Sequence, residues 1–151
     1  MEYIFNFSTL PISHIILTAV GIAGFSLARY IYHCKHKKKP LICPLRSNCD
    51  VVIESKYSTL FGIPLEVLGM IYYGFVTVIH AFFIVAPHYA TKWEIILGLV
   101  ASSGAFLLSI YLTSIQAFVL KQWCTWCLTS ATFCLIIFVT TYLSMPAGIF
   151  N

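Results

Sequence analysis

Six cysteines carry most of the reactive chemistry in this chain, and four of them fall into two close pairs. Cys124 and Cys127 sit in the tetrapeptide CTWC, while Cys43 and Cys49 bracket the polar run PLRSN. A CxxC spacing at the start of a helix puts both sulfurs on one face, close enough to alternate between dithiol and disulfide. The helix N-terminus also supplies free amide donors and a partial positive charge, which favour a thiolate on the first cysteine. Around the other pair, Pro44, Ser47 and Asn48 make a loop flexible enough both to close a disulfide and to move it. Zinc sites use the same CxxC spacing, and four thiolates are a common zinc set. The five residues inside the loop pair exceed the usual ligand spacing, which favours redox chemistry over metal binding. Cys134, amid Phe133, Leu135 and Ile136, reads as small apolar filler. Cys34, beside a basic run, is either incidental or a lipidation site.

The elements that must position these sulfurs are membrane helices. Of 151 residues, 60% are hydrophobic and 9% charged, against roughly 25% charged in soluble chains. Too little charge is left to solvate a globular surface, so the chain is an integral membrane protein. Four segments reach the ~20 apolar residues that a hydrocarbon core demands: about 10–32, 65–86, 95–120 and 128–145. Each must be a helix, because an open sheet would leave backbone groups unpaired in lipid. The expected fold is all-α, a four-helix bundle in one domain over 1–151, with the cysteine-bearing loop between helices 1 and 2. Pro87 and His88 close the second segment and Pro146 ends the fourth. The first segment is too long, and lacks the basic leader, for a cleaved signal peptide. Gly21 and Gly24, Gly69 and Gly74, and Gly98 with Ser102 and Ser103 offer small-residue seams for close helix approach.

Two crossings separate the cysteine pairs, so both face one aqueous compartment whichever way the bundle inserts. Thiols at that edge can meet a water-borne partner on one side and a lipid-dissolved oxidant on the other. Inert structural disulfides are the blander reading, but a staple adds little to a bundle already supported by lipid. Charge bears on orientation. Arg29, Lys35, Lys37, Lys38, Lys39, Arg46, Lys56 and Lys121 lie on the cysteine side, with Lys92 alone opposite. Read by the positive-inside rule, that bias points the cysteines at the cytosol. The run KHKKK is suited to anionic headgroups or an acidic partner, or is simply a solvated loop. Glu66, opening the second span, is either an interfacial acid favoured by the helix N-terminus or a proton relay. His80 reads as a neutral, hydrogen-bonded core histidine.

In this order the motifs resemble the vitamin K epoxide reductase family in its bacterial form, from about residue 39 to the end of the fourth helix. The resemblance rests on the loop pair Cys43 and Cys49, then Ser55, then SKYSTLFGIPLEVLG over 55–69, then CTWC. The other four-helix quinone-linked disulfide oxidases carry their CxxC before the loop pair; here the loop pair comes first. The resemblance implies a quinone-dependent thiol–disulfide oxidoreductase that supports disulfide formation. Electrons would pass from a separate thioredoxin-fold dithiol protein to Cys43, from Cys49 to Cys124, and from Cys127 to a membrane quinone, ubiquinone or menaquinone. Many bacterial relatives carry that thioredoxin-like domain fused after the fourth helix, which is not expected here. The family places its cysteines extracytoplasmically, against the charge bias. Ser55 matches a serine near the quinone, and a short horizontal helix from Ser55 to Phe61 would lid the bundle with Phe61 against the ring. Leu65 and Ala131 stand at or near positions where vertebrate members have asparagine and tyrosine. Neither side chain can hydrogen-bond a quinone oxygen, which favours plain quinone reduction. The alternatives are a quinone or vitamin K epoxide reductase, and a four-thiolate metal-binding membrane protein.

Overall fold

The computed structural model describes residues 2–44, 48–89 and 92–145, without the side chains of 2–11 and 92. Arg46, Ser47 and Pro146 lie outside the described residues. The chain forms α1 (Glu2–His36), α2 (Cys49–Ile53), β1 (Thr59–Leu60), β2 (Ile63–Pro64), α3 (Leu65–Val85), α4 (Lys92–Ser114) and α5 (Thr125–Leu143). Four of these helices are long and apolar enough to span a membrane, over Ile12–His36, Leu65–Val85, Trp93–Leu120 and Thr125–Leu143. The protein is thus a multi-pass membrane protein with an all-α bundle. α1 runs further at both ends than the apolar stretch 10–32, because helix propensity does not stop at the edge of the hydrocarbon. α5 starts at Thr125, three residues ahead of the expected 128, which sets Cys124 at its N-cap.

The outer faces invert the pattern of a soluble helix. Ile71, Phe75, Val78, Phe82 and Val85 follow one another at helical spacing on α3 and are all exposed. Such a stripe is stable only against lipid. Inside, Leu17, Tyr73, Val76, Cys134 and Ile137 form one buried cluster in mid-bundle. A second cluster at the cysteine end gathers Leu27, Ile31, Leu41, Cys49, Val52 and Cys124.

α1 and α3 make the most intimate helix pair, and the small-residue seam explains how. The Tyr73 ring, 1% exposed, lies flat against Gly24. A Cβ built there would stand 2.5 Å from the ring carbon Cδ1. The Tyr73 hydroxyl is fixed in turn by the Ser130 hydroxyl at 2.8 Å and by Cys134 Sγ at 3.3 Å. Gly21 serves the same close approach against Thr77.

The lid differs from expectation. The short helix is α2, which opens with Cys49 itself, and not the stretch from Ser55 to Phe61. Ser55 turns its hydroxyl back onto the Val52 carbonyl at 2.7 Å, a single 3₁₀ turn follows at Lys56–Ser58, and β1 and β2 then pair as a minimal hairpin. The reason is local chemistry. Phe61 and Gly62 both take positive φ, 51° and 82°, as a tight two-residue hairpin turn requires. Pro64, lacking an N–H, ends the hairpin and starts α3.

Gly24→Ala is expected to lower stability by about 1–3 kcal/mol through overpacking. Gly104→Ala, where an added methyl meets no atom within 4 Å, should be neutral or slightly stabilising. Thermal unfolding of the two variants in detergent checks the contrast.

Candidate redox site

Cys43 and Cys49 are joined as a disulfide. Cys124 and Cys127 are free thiols with their sulfurs 2.6 Å apart. Two polar ties bring the parts of the chain together. The Trp126 indole N–H donates to the Ile42 carbonyl at 3.0 Å, and the Asn48 amide donates to Gln122 Oε1 at 2.8 Å. One holds the residue before Cys43 and the other the residue before Cys49. Below them Cys49 and Cys124 belong to the same apolar cluster, 1% and 0% exposed. Cys43 and Cys127 pack at its margins, half-buried.

Cys124 is built to be the thiolate. Its Sγ accepts the backbone N–H of Cys127 at 3.3 Å, as an N-cap does. The Cys127 thiol, donating to the same sulfur, is the largest influence holding the Cys124 pKa below the ordinary thiol value. Burial opposes it, the amides of Cys127 and Trp126 reinforce it, and the negative charge of Asp50 works against it. Asp50 is held nearby through the Leu41 N–H, which its carboxylate accepts at 3.1 Å. The helix-start amides expected from sequence thus contribute, but the Cys127 thiol contributes more.

Beside Cys127 opens a mostly apolar cavity of about 560 Å³, bounded by all four long helices, α2 and the segment after it. That lies within the ~300–1,000 Å³ typical of small-molecule sites. Ser55, Leu65 and Ala131 line it together with Cys127. Phe61 does not. It sits at the tip of the hairpin, 97% exposed, because the turn that replaces the expected helix swings it outward.

The family model described as vitamin K epoxide reductase family matches residues 15–142. The chain belongs to that family. Membership makes it an oxidoreductase of quinone-linked thiol or epoxide chemistry. The matched region takes in both cysteine pairs and every residue lining the cavity.

Within this family member, two polar devices at the site escaped the sequence reading. Gln116, 3% exposed, accepts the Cys124 N–H on its side-chain oxygen at 3.3 Å, and its carbonyl accepts the Gln122 N–H at 3.2 Å. It reaches that position because α4 continues as a π-helical segment, Ile115–Leu120, closed by Lys121 in left-handed backbone. A glutamine inside an apolar span was the available signal; the wider turn was not readable. The second device is an ion pair. Glu66, lining the cavity and 8% exposed, meets Lys35 at 3.0 Å, and Lys35 also donates to Ser58 Oγ at 3.3 Å. Glu66 is therefore neither snorkelling nor free. It clamps the end of α1 to the start of α3 and to the turn above the cavity. Cys34, within the same cluster as Cys49, is 6% exposed and buried too deeply to carry a lipid.

Cys127→Ala removes the main donor to the Cys124 sulfur and is expected to move its pKa upward, so less thiolate is present at neutral pH. Asp50→Asn removes an opposing charge and should move it downward. Ultraviolet thiolate absorbance of the Cys43→Ser/Cys49→Ser background across a pH titration reads both signs.

Proposed function

We propose that the protein is a quinone-dependent thiol–disulfide oxidoreductase that takes electrons from a separate thioredoxin-fold dithiol protein. One observation carries the reading. The four sulfurs run from half-buried Cys43, through fully buried Cys49 and Cys124 in a shared cluster, to Cys127 on the wall of an apolar cavity. That is the order a relay from water to lipid needs.

The steps balance as thiol–disulfide exchanges. A thiolate of the partner attacks Cys43, breaking its bond to Cys49, and the partner's second thiol resolves the mixed disulfide. Cys49, now a thiolate, attacks Cys124 of an oxidised Cys124–Cys127 pair and frees Cys127. Cys43 then closes onto Cys49 and releases Cys124. The resulting dithiol gives two electrons and two protons to the quinone and returns to the disulfide. Cys124 is the leaving group of the last exchange, and the donors that lower its pKa ease its departure as a thiolate. The bound quinone supplies the oxidising power; for a two-electron couple about 30 mV corresponds to about 1.4 kcal/mol. Ser55, Leu65 and Ala131 shape the ring's surroundings. Leu65 and Ala131 offer the ring no hydrogen bond themselves, so any donor to it comes from other lining residues such as Ser55, Tyr57 or Tyr72. We place the cysteines on the extracytoplasmic face, where disulfides persist, with the basic residues near Lys35–Lys39 against headgroups of that leaflet.

Reduced protein mixed anaerobically with ubiquinone or menaquinone is expected to consume about one quinone per dithiol. Cys127→Ser should abolish that consumption. In the double variant Cys43→Ser/Cys127→Ser, oxidation should trap a Cys49–Cys124 bond, visible as a linked peptide by mass spectrometry; its absence would refute the relay. For orientation, an impermeant maleimide applied to reduced intact cells should label Cys43, and protection until lysis would reverse the assignment.

A further inference from the structure

At the far end of the bundle from the cysteines, three helices converge on a cluster the redox reading does not use. His14 lies at the start of the first span, His80 near the end of α3, and Glu94 in the first turn of α4. Fourteen residues of α3 separate Glu66 at the cavity from His80, about 21 Å at the helical rise. His14 Nδ1 and His80 Nδ1 face each other at 2.9 Å. One ligand atom from each of His14, His80 and Glu94 lies within 4.8 Å of the others. Glu94 Oε2 is buried and has no hydrogen-bond partner among the described residues.

These three groups are poorly matched to one another in isolation. Two imidazole nitrogens pointing at each other can share a single proton, which leaves the carboxylate oxygen with nothing to accept from. A dication between them would satisfy all three at once. We propose that His14, His80 and Glu94 bind a divalent first-row transition ion of the zinc class. Two imidazoles and one carboxylate form a known three-ligand set for zinc, with a fourth position left for water. Imidazole also selects such ions over magnesium and calcium, which prefer all-oxygen shells. At bond lengths of about 2.0–2.2 Å, tetrahedral ligands stand about 3.3–3.5 Å apart. The histidine nitrogens need to open by a few tenths of an ångström and the carboxylate to close. The Phe83 ring packs on His14, with centroids 5.8 Å apart, and gives the site an apolar wall. Access comes from the membrane surface on this side. Tyr89 and Trp93, both exposed, precede Glu94 in the chain, the aromatic type enriched at membrane surfaces.

The site is independent of the thiol relay, and its test separates the two. Metal-stripped protein in detergent is titrated with cobalt(II), followed by zinc displacement. An imidazole–carboxylate site gives weak visible bands without the strong near-ultraviolet absorption of cobalt–thiolate bonds. About one equivalent should bind in this way, in wild type and in Cys127→Ser alike. Glu94→Gln, close in shape, should weaken binding at least about 10-fold, and His80→Ala should abolish it. Helical circular dichroism and monodisperse elution confirm that both variants fold. Sulfur-dominated spectra, no bound cobalt in wild type, or unchanged binding in a folded Glu94→Gln variant would each overturn the site.

Discussion

Hydrocarbon offers the backbone no partner, and that single constraint organises this protein. It forces every crossing into a helix, and helices joined by short connections must alternate in direction. The loop after α1 and the start of α5 are thereby delivered to one membrane surface although about eighty residues separate them in the chain. Without that alternation the two cysteine pairs would have no means of meeting. With it, only local polar ties are needed to bring them into register.

Those ties are few and specific. Trp126 reaches the backbone before Cys43 and Asn48 reaches Gln122, so the loop is pinned to the very turn that carries the CxxC. Gln116 holds the amide of Cys124 from below. The Lys35–Glu66 pair fixes the helix ends around the cavity mouth. A buried ion pair of this kind adds little net stability, but losing one partner strands a charge in an apolar setting. Its role is better understood as holding α1, α3 and the overlying turn in one arrangement than as strengthening the bundle.

Sulfur burial then makes chemical sense. Cys49 and Cys124 are shielded from water within an apolar cluster, which in the proposed relay would keep stray thiols from the exchange between them. Cys43 is half-buried at the margin of that cluster, and Cys127 opens onto the cavity. The opposite end of the bundle carries different chemistry, imidazole and carboxylate from three helices, about four turns of α3 away. Tyr73, wedged against Gly24 and bonded to α5, joins the two halves into one packed body.

Much of this was legible in the residues alone. Apolar runs of spanning length, a shortage of charge, and the order of loop pair then CxxC are one-dimensional facts, and they determined the helices, the shared face of the four cysteines and the family. Ser55, Leu65 and Ala131, singled out from the motif, all line the one cavity beside Cys127. What failed was conformation set by a few local torsions: the expected helix from Ser55 to Phe61 is a turn and a hairpin, and Phe61 points away. The π-helical end of α4 was hidden for the same reason, since packing rather than residue type decides where a helix widens its turn. Contacts between distant helices were out of reach altogether. That Lys35 would find Glu66, that Gln116 would meet Cys124, or that His14 and His80 would face Glu94 depends on helix rotation about its axis. Apolar surroundings constrain that rotation only weakly, so it is settled by the tertiary fit of small residues, rings and polar atoms.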